Sequence, residues 1–225
     1  MIIGINGKIG SGKDTVGKII QHLTSDWADE EFQDTDMLDI RSDYKIKKFA
    51  GKLKQIASLL TGIDVEKFED QKFKKLEMPE CWNRLQQSGR SKVWVPMTYR
   101  QFLQELGTEA MREGLHTNVW VNALFADYKY EIHRSEVPTR AAGFIDQHIY
   151  PNWIITDMRF PNEMEAVVEK GGITIRVVRP GTSTGTHPSE IALDGHTMHY
   201  EIINDGTIED LVEKVREILI ERNII

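Results

Sequence analysis

The sequence has 225 residues, of which 40% are hydrophobic and 28% are charged, as expected for a globular protein with a core of its own. The net charge of −7 argues against a protein that neutralises the backbone phosphates of a nucleic-acid polymer. No run approaches the roughly 18 apolar residues of a membrane helix, and the N-terminus lacks a signal-peptide pattern. The single cysteine, Cys81, excludes an internal disulfide. We therefore expect a cytoplasmic protein with no membrane and no nucleic-acid partner.

The first quarter of the chain predicts two strands that are each followed by a helix. An apolar strand over residues 1–6 runs into glycine-rich sequence and then into a helix over 16–23. A second strand spans 45–50. The apolar residues of the helix that follows recur at the spacing of one helix face, and they are Leu53, Ile56, Ala57 and Leu60.

The middle of the chain is less regular. Residues 67–95 are charged and predict an insertion with some helix, whereas 97–113 and 120–132 each predict a helix. Residues 134–150 read as a connecting loop. We expect the whole of 61–150 to form a mainly helical insertion.

The last third alternates strands and helices again. Strands are predicted at 153–156 and 173–178, a helix at 161–170 and a final amphipathic helix at 207–222. The turn-forming residues of 181–200 suit a lid-like loop. Strands that alternate with helices predict an α/β fold, in which a parallel sheet is flanked by helices within a single domain.

The strongest motif is Gly7-Lys8-Ile9-Gly10-Ser11-Gly12-Lys13-Asp14-Thr15, which has the glycine and lysine spacing of a phosphate-binding loop (P-loop). Its glycines let successive N–H groups face an anion, and the following helix adds its positive end. Lys13 can reach the β- and γ-phosphates of a nucleotide. The motif predicts an ATP site whose residues are Gly10, Ser11, Gly12, Lys13, Asp14 and Thr15.

Asp14 departs from this motif because a Ser or Thr usually holds Mg²⁺ at its position. A carboxylate is also a good ligand for a hard cation. We therefore predict that Asp14 binds magnesium, with a favourable charge at the helix N-terminus as the alternative.

A polar stripe is predicted on the helix over 97–113. Arg100, Gln104 and Gly107 recur at i, i+4 and i+7, and Thr108 lies beside them. The stripe suggests that Arg100 clamps a phosphate, Gln104 bonds a base edge and Gly107 admits a ligand closely. The alternative is a solvated surface. A separate apolar face would contain Leu103, Leu106 and Ala110.

Asp157 and Arg159 follow an apolar strand, at the sheet edge where α/β proteins bind ligands. Asp157 could hold Mg²⁺ while Arg159 neutralises a phosphoryl group, or the two could form a structural salt bridge. Glu163 suits either a ligand contact or the positive end of its helix. Trp120 could stack on a base or fill the core.

Together these motifs resemble the bacteriophage-type deoxynucleoside monophosphate kinases, which are P-loop kinases related to adenylate kinase. The resemblance spans most of the chain, and its blocks occur in one order. The blocks are Ser11–Thr15, Arg100–Thr108, Trp120, Asp157–Arg159 with Glu163, Val177–Gly181 and Ile203–Gly206.

The resemblance implies transfer of a phosphoryl group from Mg·ATP to a nucleoside 5′-monophosphate, with a deoxynucleotide as the expected acceptor. It places Ser11, Lys13, Asp14 and Thr15 around ATP and Mg²⁺. It places the acceptor within the 61–150 insertion, at Arg100, Gln104, Gly107, Thr108 and Trp120. Asp157, Arg159 and Glu163 would complete the catalytic centre, and Asn204, Asp205 and Gly206 would lie near the adenine of ATP.

One residue departs from the family pattern, because a second basic residue often follows the arginine and Gln101 stands there. Alternatives to the nucleotide acceptor are phosphomevalonate and dephospho-coenzyme A. A nucleotide-dependent switch that transfers no phosphate is the more distant alternative. A homodimer is compatible with the sequence.

Overall fold

The structure is a computed structural model. It describes residues 1–34, 42–136, 144–182 and 191–225. These residues form two compact units, one made of Met1–Phe49 with Phe125–Ile225 and the other of Ala50–Leu124. No helix in the described ranges has the length and apolar character needed to cross a membrane.

Strands and helices alternate over much of the chain. The strands are β1 (Ile2–Gly7), β2 (Tyr44–Lys47), β3 (Arg84–Ser88), β4 (Ser91–Val95), β5 (Glu131–Glu136), β6 (Phe144–Ile149), β7 (Asn152–Ile155), β8 (Ile173–Val178) and β9 (Tyr200–Ile203). The α-helices are α1 (Lys13–Leu23), α2 (Ala50–Thr61), α3 (Tyr99–Glu105), α4 (Val119–Phe125), α5 (Pro161–Glu169) and α6 (Ile208–Glu221).

The larger unit is built on a five-stranded sheet in the order β2-β7-β1-β8-β9, with every neighbouring pair parallel. This arrangement confirms the predicted α/β fold. Because all five strands run the same way, their carboxyl ends meet at one edge of the sheet. The loop that follows β1 therefore lies beside the residues that follow β7, β8 and β9.

The two faces of this sheet are covered by different helices. Ile3 and Ile5 of β1 belong to one buried cluster with residues of α1 and α6. Gly4 faces the opposite side, since an added Cβ there would lie 3.3 Å from Val167 of α5. Helices on both faces explain why β1 and β7 are continuous apolar runs.

The predicted helix over 120–132 is wrong beyond Phe125, because α4 ends there. Residues 131–136 instead form β5, which pairs antiparallel with β6 in a stretch predicted to be a loop. Aromatic contacts fix the chain just before this hairpin. The centroid of the Tyr128 ring lies 4.8 Å from that of Trp153 and 5.2 Å from that of Tyr150.

The smaller unit has its own core. Phe68 and Tyr99 lie at its centre, where the Tyr99 ring stacks on Phe73 with centroids 4.4 Å apart. The insertion predicted over 67–95 contains a hairpin of β3 and β4, and its helix is limited to short 3₁₀ turns. The unit's 3₁₀ turns are Val65–Phe68, Phe73–Lys75 and Glu80–Trp82.

The helix predicted over 97–113 changes character within its length. It begins with a capping box, in which Thr98 accepts from the Gln101 backbone N–H. From Leu106 to Glu113 it continues as a π-helix, whose i→i+5 hydrogen bonds take more residues per turn. The side chains after Leu106 therefore leave the 3.6-residue register on which the sequence analysis relied.

Gly17 allows α1 to pack closely on β7. An added Cβ would lie 2.5 Å from Thr156 Cγ2 and 3.6 Å from Ile154 Cγ2. We predict that Gly17→Ala lowers the free energy of unfolding by about 1–2 kcal/mol, because the overpacking outweighs the roughly 1 kcal/mol by which alanine favours a helix. Urea denaturation measures this change. Gly195→Ala in the same unit is the control, since an added Cβ there meets nothing within 4 Å; equal stabilities of the two variants would contradict the packing argument.

Candidate active site

The loop between β1 and α1 has the open backbone of an anion-binding turn. Gly10 and Gly12 have φ angles of 81° and 95°, which side chains other than glycine rarely adopt. The Ser11 N–H donates to the Lys8 carbonyl oxygen (3.1 Å), and the Val16 N–H donates to the Gly12 carbonyl oxygen (2.9 Å) as the helix begins. The first N–H groups of α1 have no carbonyl within the helix to bond, so they can bind an anion.

Ser11 is fully buried inside this loop. Its Oγ has no hydrogen-bond partner among the residues that the structure describes. A Cβ at Gly7 would overlap this Oγ, so the first glycine of the motif makes room for the serine. A buried hydroxyl without a protein partner suits a loop that receives a polar ligand.

Asp14 lies in the first turn of α1, and its carboxylate contacts the residues that directly follow two strands, β7 and β2. Its Oδ1 accepts a hydrogen bond from Thr156 Oγ1 at 2.9 Å and lies 3.7 Å from Lys48 Nζ. Sequence reasoning gave Thr156 no role, and it treated Lys48 as one of several largely solvated lysines that could steer an anionic substrate. The position of Thr156 directly after the apolar strand β7 is a signal that could have identified it, whereas Lys48 follows β2, in which charged and apolar residues alternate.

Asp157, which follows β7, connects two strand ends. Its Oδ1 accepts a hydrogen bond from the backbone N–H of Phe49 at 2.7 Å. Asp14 is bonded to Thr156, the neighbour of Asp157, so the two predicted magnesium ligands belong to the same edge of the sheet. Within the described ranges, no group of three or more His, Cys, Asp or Glu side chains could hold a metal ion. A magnesium ion here would need phosphate oxygens and water as further ligands, which is its usual coordination in kinases.

Glu163 is 3% exposed, and its carboxylate binds the backbone that directly precedes α5. Its Oε2 accepts from the N–H groups of Arg159 (2.8 Å) and Phe160 (3.2 Å). The carboxylate thus caps the N-terminus of α5 and fixes the turn that presents Arg159. A substrate contact from Glu163 stays a prediction.

Two asparagines form hydrogen bonds in and beside the phosphate loop. The resemblance implied that Asn204 lies near the adenine of ATP, and sequence reasoning gave Asn6 no role. Asn6 Nδ2 donates to the Met158 carbonyl oxygen at 2.9 Å, and Asn204 Nδ2 donates to the Ser11 carbonyl oxygen at 2.8 Å. Next to Asn204, the hydrogen bond and the positive charge of Lys214 lower the pKa of the Asp205 carboxyl group. Only the block Ile203–Gly206 in the resemblance pointed to this turn.

Residues 183–190 of the predicted lid-like loop lie outside the described residues. The segment that follows them is held by two basic side chains. Arg176 Nη2 donates to the carbonyl oxygens of Leu193 (2.5 Å) and His196 (2.9 Å). Lys8 of the phosphate loop pairs with Asp194 at 2.5 Å.

In the smaller unit, Arg100 is half-buried and its Nη2 donates to Gln71 Oε1 at 2.8 Å. Gln104 and Thr108 are also half-buried. These three side chains remain candidates for ligand contacts within this unit.

Gly107 does not lie on the predicted polar stripe. It is buried, and an added Cβ would lie 2.9 Å from Leu53 Cδ2, whereas Ala110 of the predicted apolar face is exposed. The stripe was predicted with the 3.6-residue period of an α-helix, whereas residues 106–113 are π-helical. The Gly107 carbonyl oxygen accepts from Trp120 Nε1 at 2.8 Å, and Trp120 is only 5% exposed. Packing thus accounts for Gly107 and Trp120, and an acceptor contact from either stays a prediction.

Known proteins are similar in sequence to this chain over long segments. A protein of Acanthamoeba polyphaga mimivirus is 30% identical over 132 residues, which are 54% of this chain and 61% of that protein. The deoxynucleotide monophosphate kinase of Enterobacteria phage T4 is 30% identical over 121 residues, or 53% of this chain and 44% of that protein. The chain thus spans about half the length of these curated relatives.

A third relative matches over nearly the whole chain. The deoxynucleoside-5′-monophosphate kinase of Escherichia phage T5 is 24% identical over 253 aligned residues, which cover 91% of this chain and 89% of that protein. The sequence profile of a family described as deoxynucleotide monophosphate kinase matches residues 23–215. This match begins after the phosphate loop, so the geometry of that loop is an independent observation. The chain belongs to the deoxynucleotide monophosphate kinase family.

Proposed function

We propose that this protein transfers the γ-phosphoryl group of ATP to the 5′-phosphate of a deoxynucleoside monophosphate, giving ADP and a diphosphate. The observation that carries the proposal is the open phosphate loop at the carboxyl edge of the sheet, with Asp14 and Asp157 fixed beside it. The printed names of the phage T4 and T5 relatives support this acceptor class.

The donor nucleotide would bind at the loop through its phosphates. Backbone N–H groups between Gly10 and Thr15 and the N-terminus of α1 supply donors for phosphate oxygens. Lys13 adds a positive charge for the β- and γ-phosphates. These groups are held in place before ATP arrives, so little reorganisation is needed when charge shifts during transfer.

Asp14 and Asp157 would hold Mg²⁺, either directly or through water. The ion supplies positive charge that offsets the negative charge of the phosphates. Thr156 and Lys48 keep the Asp14 carboxylate in place, and the Phe49 N–H does the same for Asp157.

The acceptor would be bound by residues of the 61–150 insertion. Arg100 is proposed to clamp its phosphate, and Gln104 to bond the edge of its base. Thr108 is a further candidate contact, and Gly107 and Trp120 shape the helix pair that presents it. With Gln101 in place of a second basic residue, Arg100 would supply most of the local positive charge.

The proposed reaction needs no covalent enzyme intermediate. The acceptor phosphate is already a competent nucleophile at neutral pH, so the protein chiefly positions the reactants and neutralises charge. Arg159 is proposed to stabilise the transferring phosphoryl group, and Glu163 fixes its backbone. Asp157 and Arg159 would thus act together at one strand end.

Lys13→Ala tests the proposal on the full chain. We expect wild-type protein to release ADP from Mg·ATP faster when a deoxynucleoside monophosphate is present. We expect the variant to lose at least about 100-fold in kcat/KM, because it lacks the charge that faces the β- and γ-phosphates. A coupled ADP assay against deoxy- and ribonucleoside monophosphates, phosphomevalonate and dephospho-coenzyme A measures both.

Lys18→Ala is the matched control, because Lys18 lies on the same helix and pairs with Asp34 at 3.0 Å. It should retain wild-type kcat/KM. Stimulation of the wild type by phosphomevalonate or dephospho-coenzyme A alone would replace the nucleotide acceptor. ADP release without stimulation by any acceptor would favour a nucleotide-dependent switch.

Asp14→Ser restores the residue type that usually follows the loop lysine. Because a hydroxyl can also bind Mg²⁺, we expect Asp14→Ser to retain more activity than Asp14→Ala and to differ from wild type mainly in the magnesium concentration for half-maximal rate. A titration of the rate with Mg²⁺ measures this difference. Identical titration curves for Asp14→Ala and wild type would exclude Asp14 as a ligand.

Arg100→Ala tests the acceptor site separately. We expect the KM for the deoxynucleotide to rise at least about tenfold while the KM for ATP stays within about twofold, since a charge-assisted phosphate contact contributes roughly 1.5–3 kcal/mol. Steady-state kinetics with each substrate varied in turn give both constants. Arg112→Ala is the control, because Arg112 lies in the adjoining π-helix and was given no acceptor role; equal acceptor KM values for the two variants would contradict the proposed clamp.

A further inference from the structure

The side chain of Asn204 contacts the phosphate loop from the end of β9. Its Nδ2 donates to the Ser11 carbonyl oxygen at 2.8 Å, although the two residues are 193 positions apart. An added Cβ at Gly12 would lie only 2.5 Å from this Nδ2. The amide group is therefore in contact with both residues that flank the peptide bond between Ser11 and Gly12.

Asn204 itself is held by neighbours on both sides. Its backbone N–H donates to the Val178 carbonyl oxygen at 2.7 Å, which ties it to β8. Lys214 of α6 donates to Asp205 at 3.0 Å and to the Ile203 carbonyl oxygen at 2.6 Å. Thr207 then caps α6 through a reciprocal pair of bonds with Asp210. The Asn204 side chain thus projects from a turn fixed by two strands and a helix.

The hydrogen bond from Asn204 fixes the direction of a backbone donor. A trans peptide is planar, so its C=O and N–H groups point in opposite directions, and the described residues contain no cis peptide. With the Ser11 carbonyl oxygen turned towards Asn204, the Gly12 N–H must point away from Asn204. In a phosphate loop, N–H groups on one side of the chain are the groups that bind the anion.

We propose that Asn204 is a positioning residue, which orients the Ser11–Gly12 peptide so that the Gly12 N–H faces the phosphates of the donor nucleotide. This inference rests on the proposed function, because it presumes that the loop binds a nucleoside triphosphate. It also explains Gly12 on steric grounds, since the asparagine occupies the space that a Cβ would need.

A phosphate role and a base-binding role for Asn204 predict different effects on ligand binding. Substitution of a residue that contacts the base changes the affinity for ATP but leaves the affinity for a ligand without a base unchanged. Substitution of a residue that shapes the phosphate loop changes the affinity for both kinds of ligand by the same factor. Inorganic tripolyphosphate has the phosphates without the base, and it is therefore the discriminating probe.

The test is calorimetric binding of ATP and of tripolyphosphate, each with Mg²⁺, to the full chain. We expect Asn204→Ala to raise the Kd for ATP and the Kd for tripolyphosphate by the same factor of about tenfold. This factor is at the upper end of the range for loss of one hydrogen bond. Asn204→Asp, which keeps the shape but places a carboxylate against the Ser11 carbonyl oxygen, should weaken them further. Glu201→Ala is the control in β9, three residues before Asn204. Because the Glu201 side chain is exposed, this variant should bind both ligands within about twofold of wild type.

Unchanged tripolyphosphate binding by Asn204→Ala would overturn the inference, and so would a loss confined to ATP. If Asn204→Ala does not fold, Asn204→Asp is compared with wild type by the same criteria. Wild-type protein that binds neither ligand would contradict the proposed function itself. Wild-type binding with unchanged binding by the folded variants would contradict only the role of Asn204.

A double-mutant cycle with Gly12→Ala provides a second readout. The strain of a side chain at φ 95° is present in both the single and the double variant, so it cancels in the coupling term. We expect Gly12→Ala to weaken tripolyphosphate binding less in the Asn204→Ala background than in wild type, because the steric conflict is gone. Additive effects would show that the two residues do not interact, and they would overturn the inference.

Discussion

A phosphate loop must point its backbone N–H groups at the bound anion, yet it has no regular hydrogen-bond ladder of its own. Contacts from other parts of the chain must therefore hold its conformation. Here the support comes from the ends of neighbouring strands. Asn204 holds the Ser11 carbonyl oxygen, and Thr156 holds the Asp14 carboxylate. Both contacts exist only because β7, β8 and β9 run parallel to β1 and end at the same edge. The parallel order of the sheet is thus the condition for the site.

The features of this site that depend on residues close together in the sequence could be predicted from the sequence. The apolar run before Gly7, the glycine spacing and the helix after Lys13 specify β1, the loop and α1 together. The strands β7 and β8 were predicted for the same reason, because buried parallel strands are short apolar runs between polar turns. The family profile and the named phage relatives agree with the function that these motifs suggested.

The parts that depend on distant contacts could not be predicted. Asn204 reaches a residue 193 positions away, and no local pattern marks such a contact. Tyr128 follows a helical pattern, yet its ring is held by Tyr150 and Trp153, so packing ends α4 early. Gly107 seemed to belong to a polar stripe because periodicity assumes one helix type. It is instead buried by tertiary packing against Leu53, in a segment that is π-helical.

The π-helix after Leu106 also has a consequence for how this segment tolerates insertions and deletions. Each residue of an α-helix turns the chain by about 100°, and a π-helix accommodates an extra residue without breaking the backbone ladder. We expect deletion of one residue between Leu106 and Glu113 to restore α-helical hydrogen bonds. The deletion would also rotate the residues that follow it about the helix axis. The Gly107 carbonyl oxygen, which now accepts from the Trp120 indole, would be the first group affected. An insertion or deletion between Leu106 and Glu113 therefore changes the orientation of α4. Sequence comparisons of such kinases should allow a gap in this segment.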